Sequence, residues 1–276
     1  LVGSIRSILD KERAARAVDV AAQAARAGGA AVRTARRHAV DVQRKGPGDL
    51  TTSTDASAHA AIVSVLHDAF PSHAILGEDG SSGEDPHRWY VDALDGTVNY
   101  AHRIPYYAIS VALWNDDQPV AAAVLDPVHE ELFLAGRELG ATLNGEPIYV
   151  SHASTLEEGI VVTQSAARSE SGIASFIALL SRLMATTGGV RMPGSRVVAL
   201  CHVADGRYIG AAERSLDPWD LAAAGLIITE AGGRVTGFDG RPVVPGDADD
   251  RLDVVASNGV VHDALVDVAS PAEEAR

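Results

Sequence analysis

At 276 residues, with 46% apolar and 22% charged side chains, the chain is long enough to bury a core as one large domain or two packed subdomains, and it needs no disulfide scaffold. Its 37 acidic against 23 scattered basic side chains give a formal net charge of -14, which excludes nucleic-acid binding through a cationic surface but leaves room for divalent cations and a small anion held by them. One cysteine, Cys201, excludes an internal disulfide; no apolar run reaches membrane-spanning length, the first residues lack a secretory signal's apolar segment, and the expected location is the cytoplasm.

From about Ile8 to Arg37, apolar and charged positions recur at spacings of three and four, interrupted only by Gly28 and Gly29, which predicts one long amphipathic helix or two stacked ones, ended by "RKGPGDL". Asp49 or Thr54 is placed to cap the next helix, where Ala58, Ile62, Leu66 and Phe70 share a face before Pro71 stops it. "SHAILGEDG" reads as a short strand over Ala74 to Leu76 that delivers an acidic turn at Glu78 and Asp79. The stretch "YVDALDGTVNY" then runs an apolar strand into Asp92, Asp95 and a Gly-Thr pair. Beyond it, short apolar runs separated by turns at Asn115–Asp117, Asp126–Pro127 and Asn144–Gly145 predict an antiparallel meander, with "ATLNGEPI" as its clearest hairpin.

Polar residues near 150 to 160 bridge to a second unit in which strands ("EGIVVTQS", "RYIGAAE", "RLDVVASNG") alternate with helices ("GIASFIALLSRLMAT", "SRVVALCHVADG", "DLAAAGLIITEAGG"). The division expected is an N-terminal α+β unit over 1–155 and a C-terminal α/β unit over 156–276.

The carboxylates at element ends carry the chemistry. Mg²⁺ is commonly held by one or two carboxylates together with substrate phosphate and water. Glu78 follows a strand, Asp92 ends the next one with Asp95 a turn further on, and Asp220 opens a helix behind Pro218 and Trp219. Asp220 and Asp49, each taken alone, have helix capping as their simpler alternative. The pair Asp92 and Asp95 does not, because the end of an apolar strand is a costly place for two close like charges unless a cation or tight hydrogen bonding compensates them. If a helix begins at Gly96, the N–H groups of Gly96, Thr97 and Val98 form an anion cradle, and Gly96 lets a ligand approach the backbone. The histidines show no ligand spacing with Cys201, and no P-loop or dinucleotide fingerprint is present.

"GEDG", "VDALDGTVNYAHRIPYYAISVAL" and "DPWDLAAAGLIITEAGG" resemble the signature segments of the inositol monophosphatase family, in the superfamily of Mg²⁺-dependent, Li⁺-inhibited phosphatases that includes fructose-1,6-bisphosphatase. The resemblance runs from about "KGPGDLTTSTD" to "VVASNG". It implies an α+β fold layered α-β-α-β-α, a homodimer, and a phosphomonoesterase using two or three Mg²⁺ ions, with Mn²⁺ as a substitute, on a small phosphorylated polyol or sugar. Glu78, Asp92 and the carbonyl of Leu94 resemble the ligands of the first metal, and Asp92, Asp95 and Asp220 those of the second. A third ion shares Glu78. Thr97 and Asp55 resemble the pair that orients and deprotonates the attacking water near Glu78. Glu213 resembles the acid that binds substrate hydroxyls, with Gly194 and Ser195 lining that pocket and Ser165 in a further specificity loop.

Four departures stand out. Ala93 replaces the family's usual Pro, Asp79 a commoner Glu and Val98 a frequent Thr, all without touching a proposed ligand. Arg196 follows the Gly-Ser where a small residue is usual, and it weighs against plain inositol monophosphate as the preferred substrate. Histidinol-phosphate phosphatase, fructose-1,6-bisphosphatase and 3'-phosphoadenosine-5'-phosphate phosphatase activities are the near alternatives. A non-catalytic dimeric binding protein is the remaining one, and the intact acids speak against it.

Overall fold

The computed structural model describes residues 2–36, 42–46, 49–78, 80–165, 167 and 169–270, of which 2–9, 42–46 and 49 are described by backbone alone. Asp79, His38 and part of the 165–169 loop lie outside the described residues, as does the side chain of Asp49.

The first helix, α1 (Val2–Ala35), is continuous. Gly28 and Gly29 do not break it. A Cβ on Gly28 would stand 2.8 Å from Ile62 Cδ1 and one on Gly29 2.5 Å from Leu125 Cδ2, so the two glycines let α1 lie close against its neighbours. A hairpin of β1 (Val42–Gly46) and β2 (Asp49–Thr52) follows, where "RKGPGDL" was expected only to end the helical block. Helix α2 (Ser53–Ala69) is then capped by Thr52 rather than by Asp49 or Thr54. The Thr52 hydroxyl accepts from Thr54 N–H, while Thr52 N–H and hydroxyl donate back to Asp55 Oδ2 at 2.8 and 2.6 Å, a reciprocal capping box.

The large sheet holds β3 (Ala74–Gly77), β4 (Gly80–Ser82), β5 (His87–Asp95), β6 (Ala108–Asn115), β7 (Gln118–Asp126), β8 (Glu131–Gly136), β9 (Gly140–Leu143) and β10 (Glu146–Pro147). Its order is β10-β9-β8-β7-β6-β5-β3-β4, antiparallel throughout except for β3 beside β5. The short helix α3 (Thr97–Ala101) joins β5 to β6. The smaller sheet is assembled from β11 (Ile160–Val162), β12 (Gly189–Arg191), β13 (Gly210–Leu216), β14 (Arg234–Gly237) and β15 (Leu252–Ser257), ordered β12-β11-β13-β15-β14. Between its strands run α4 (Glu170–Thr186), α5 (Arg196–Ala204) and α6 (Pro218–Glu230), with α7 (His262–Ala269) last.

Strand periodicity decides the layering, because successive side chains face opposite sides of a sheet. Trp89, Val91, Ile109, Val111, Leu113, Ala121 and Ala123 point to one face and are buried with α1 and α2. Tyr90, Ala108, Ala112, Trp114, Ala122 and Val124 point to the other and are buried with α5 and α6, which also meet Val162, Ala211 and Ala256 of the smaller sheet. The outer face of that sheet packs Val161, Ala212 and Val255 against Leu179 and Leu183 of α4 and Leu265 of α7. The result is the layered α-β-α-β-α arrangement expected. No described helix is long and apolar enough to cross a membrane.

Candidate metal centre

The site begins with an irregularity in β5. Asp92 pairs with Ser110 and Asp95 with Ala108, so three steps along β5 match two along β6. In a regular strand, residues three apart face opposite sides. The extra residue of this bulge turns the chain so that Asp92 and Asp95 reach the same side, while Ala93 and Leu94 are buried with the α1/α2 layer. Leu94 N–H donates to Asp92 Oδ1 at 2.9 Å and fixes the turn. Gly96 follows with φ 91°, a conformation costly for any side chain, and serves as the N-cap of α3.

The next contribution comes from a hundred residues further on. Asp95 sits at the N-terminus of α5: Val197 N–H donates to its Oδ2 at 2.9 Å and Arg196 N–H to its Oδ1 at 3.3 Å. The Ser195 hydroxyl also donates to Asp95 Oδ2 and itself caps the helix by accepting from Val198 N–H. A carboxylate at a helix N-terminus meets free N–H donors and the positive end of the dipole.

Asp220 lies in the first turn of α6, where Pro218 needs no N–H acceptor. Two bonds tie that helix to the large sheet: Ser110 Oγ donates to the Trp219 carbonyl at 3.3 Å and Trp114 Nε1 to the Ala222 carbonyl at 3.2 Å. They hold Asp220 over the end of β5. Carboxylate oxygens of Asp92, Asp95 and Asp220 all come within 4.8 Å of one another, and all three residues are buried.

Burial is the first cause pushing each of these three carboxyls above the usual range. For Asp92, repulsion from Asp95, Asp220 and Glu78 adds to it; for Asp95 the bonds from Ser195, Val197 and Arg196 oppose it. Asp220 is pushed up by Asp95 and held back by Arg196. An all-oxygen cluster of three acids with a single guanidinium beside it is the donor set that hard divalent cations take, so these residues fit Mg²⁺ or Mn²⁺.

The remaining expected residues gather around this cluster. Glu78 is exposed in the turn after β3 and acts on Asp92 through its charge, without joining the close trio. Thr97 Oγ1 lies 2.9 Å from the Leu94 carbonyl and 3.3 Å from Asp55 Oδ1, and its single proton serves one or the other. Val98 is exposed beside it. Glu213 on β13 is fully buried, and its carboxyl is pushed up to about 7 by burial, against the pull of Arg196. Neither of its carboxylate oxygens accepts a hydrogen bond among the described residues: Gln164 lies alongside and Arg196 Nε stands 3.9 Å away. Gly194 N–H donates to Gln164 Oε1 at 2.7 Å, and the Ser165 hydroxyl accepts from Ala167 N–H in the neighbouring loop. Arg196 does not face outward: its side chain is 12% exposed and turned toward Asp220 and Glu213.

Asn99 escaped the reading of the sequence. Its Nδ2 donates to the Tyr106 carbonyl at 2.8 Å and to the Pro193 carbonyl at 2.9 Å, locking the α3 motif to the loop that carries Gly194 and Ser195. Only its place inside "DGTVNY" could have signalled it.

Comparison with known proteins agrees with this geometry. The profile of the inositol monophosphatase family matches residues 14–273. The chain is 37% identical over 252 residues to inositol-1-monophosphatase of Synechocystis sp., covering 90% of this chain and 86% of that protein. It is 36% identical over 232 residues to Nus factor SuhB of Pseudomonas aeruginosa, covering 81% and 86%. Among solved structures, extragenic suppressor protein suhB from Bartonella henselae superposes with a TM-score of 0.86 at 32% identity, over 93% of this chain and 99% of that one. The chain belongs to the inositol monophosphatase family.

Proposed function

We propose that this chain is a phosphomonoesterase that hydrolyses a small polyol or sugar phosphate, with Asp92, Asp95 and Asp220 holding its divalent cations. The observation that carries this reading is the meeting of three buried carboxylates within 4.8 Å, a concentration of charge that folding alone does not require. Two or three Mg²⁺ ions, or Mn²⁺ in their place, would supply Lewis-acid activation of water and neutralise phosphate charge.

The chain's own groups do the rest. Glu78 and the Leu94 carbonyl complete the ligand set. Asp55, whose Oδ2 is occupied by Thr52, turns Oδ1 toward Thr97, and this pair orients the attacking water and takes up its proton. The N–H groups of Gly96, Thr97 and Val98 face the phosphoryl oxygens, where fixed donors act on developing charge. Glu213 accepts from hydroxyls of the alcohol moiety, and Ser165, Gly194, Ser195 and Arg196 bound that pocket. Residues 1–155 provide the large sheet and most ligands, and 156–276 provide Asp220 and the pocket.

Phosphate release from a panel including inositol 1-phosphate, histidinol phosphate, fructose 1,6-bisphosphate and 3'-phosphoadenosine 5'-phosphate, with Mg²⁺ and with EDTA, tests the reading. Turnover indifferent to chelation would overturn it. We further propose that the protein is a homodimer: Ile173, Ile177 and Met184 form an exposed apolar stripe on α4, with Met192 exposed just beyond. Light scattering at a monomer's mass would refute that.

A further inference from the structure

Arg196 makes contacts that a substrate-reading arginine would not. Its backbone N–H donates to Asp95, its Nη1 lies 3.5 Å from Asp220 Oδ2, and its Nε lies 3.9 Å from Glu213 Oε2. The fork is also held by backbone: Nη1 donates to the Ser215 carbonyl at 2.9 Å and Nη2 to the Arg214 carbonyl at 3.4 Å. Two hydrogen bonds to backbone carbonyls therefore hold the guanidinium in place, and its ion-pair contacts aim the head at the acids. A guanidinium keeps its proton under all ordinary conditions, so the positive charge beside Asp220 is permanent.

Asp220 is thus claimed twice, by Arg196 and by any divalent cation the cluster takes up. Two cations sharing one carboxylate repel each other, most strongly where water is excluded. Building on the metal reading of the cluster, we propose that Arg196 is an internal counter-ion that competes with the divalent cation on the Asp95–Asp220 side. It balances the charge of the trio within the fold and weakens metal binding there. A phosphate ester brings negative charge to the same place and offsets that repulsion, which makes metal occupancy on this side depend on substrate.

The test is Mn²⁺ binding to the whole protein, followed by electron paramagnetic resonance or calorimetry, in the wild type, Arg196→Gln and Arg196→Lys. Melting in EDTA establishes that each variant is folded. Arg196→Gln, which loses the charge but keeps amide donors for the carbonyls, is expected to bind Mn²⁺ on the order of ten-fold tighter or more. Arg196→Lys keeps the charge and is expected to stay within about three-fold of wild type. A merely structural role gives the opposite sign, because a loosened ligand set binds metal more weakly. Equal or weaker binding by Arg196→Gln would overturn the inference alone. Failure of every variant to bind Mn²⁺ would overturn the metal reading and the inference with it.

Discussion

Replacing Asp92 by Asn should stabilise the metal-free protein while abolishing turnover. Asn keeps the Oδ1 acceptor for Leu94 N–H, so the turn after β5 retains its bond, and only the charge is removed. With Asp95 and Asp220 oxygens within 4.8 Å, each repulsion reaches about 3 kcal/mol at an effective dielectric constant of about 20. Proton uptake limits the total: at pH 7 a carboxyl with an ordinary value near 3.9 can cost no more than about 4 kcal/mol before it binds a proton instead. A gain of about 2–4 kcal/mol is expected, which for a chain of this size raises Tm by roughly 5–15 °C in EDTA. The sign with pH follows from the raised carboxyl of Asp92. The native state holds the proton more tightly than the unfolded chain, so the wild-type penalty is absent below about pH 4 and grows as the pH is raised through the acid range. Calorimetric melts at pH 7 and pH 4, with EDTA and with saturating Mn²⁺, check all of this. Mn²⁺ should favour the wild type by about 2.7 kcal/mol at a hundred times Kd and leave the variant nearly unmoved. A variant that melts at or below wild type in EDTA at pH 7, or that keeps its advantage at pH 4, refutes the reasoning.

Ser195→Ala removes both the α5 cap and a donor to buried Asp95; a loss of about 2 kcal/mol is expected in urea unfolding, largely restored by Thr. In Gly96→Ala the new Cβ would stand 3.1 Å from the Tyr106 carbonyl oxygen in a left-handed conformation. About 1–3 kcal/mol of strain is expected, with kcat falling because Asp95 and Thr97 flank the residue. His262 is fully buried between Thr236 Oγ1 and Ser257 Oγ, and burial, then Arg234, lower its pKa to about 4. The stability it protects is complete above about pH 6.5 and is lost as the pH falls through 4; the difference in urea midpoint between wild type and His262→Gln should therefore shift against wild type over that window.

The chemistry of the site was legible where it is local in sequence. Asp92, Asp95, Gly96 and Thr97 fall within six consecutive positions, and two carboxylates at an apolar strand's end call for a cation or tight hydrogen bonding. The short apolar runs of β6 and β7 with turns between them likewise announced an antiparallel meander. Contacts that depend on the third dimension were another matter. Nothing near Asp95 indicates that α5 would supply three donors to it from residues 195–197. Thr52 and Asp55 form a textual capping pattern, yet neighbouring Asp49 and Thr54 offered the same side-chain chemistry, and only backbone conformation chose between them. The direction of Arg196 is illegible in the sequence for the same reason, since an arginine at the start of a helix can reach solvent or fold back, and here the pull of Asp220 and Glu213 turns it inward.

The three aspartates are not equally supported, and this asymmetry says how the cluster tolerates its own charge. Asp95 receives donors from Ser195, Arg196 and Val197, and Asp220 has a guanidinium at 3.5 Å. Asp92 receives one backbone N–H and faces Asp95, Asp220 and Glu78. The protein therefore balances the Asp95–Asp220 side of the trio with donors and a positive charge from the start of α5 and leaves Asp92 to be balanced from outside. A divalent cation gains most where protein compensation is least, so the Asp92–Glu78 side should load first and the Asp95–Asp220 side second. Stepwise Mn²⁺ titration resolves that order: Glu78→Gln should weaken the tighter step, Arg196→Gln should strengthen the weaker one, and a reversed assignment would contradict the electrostatic argument.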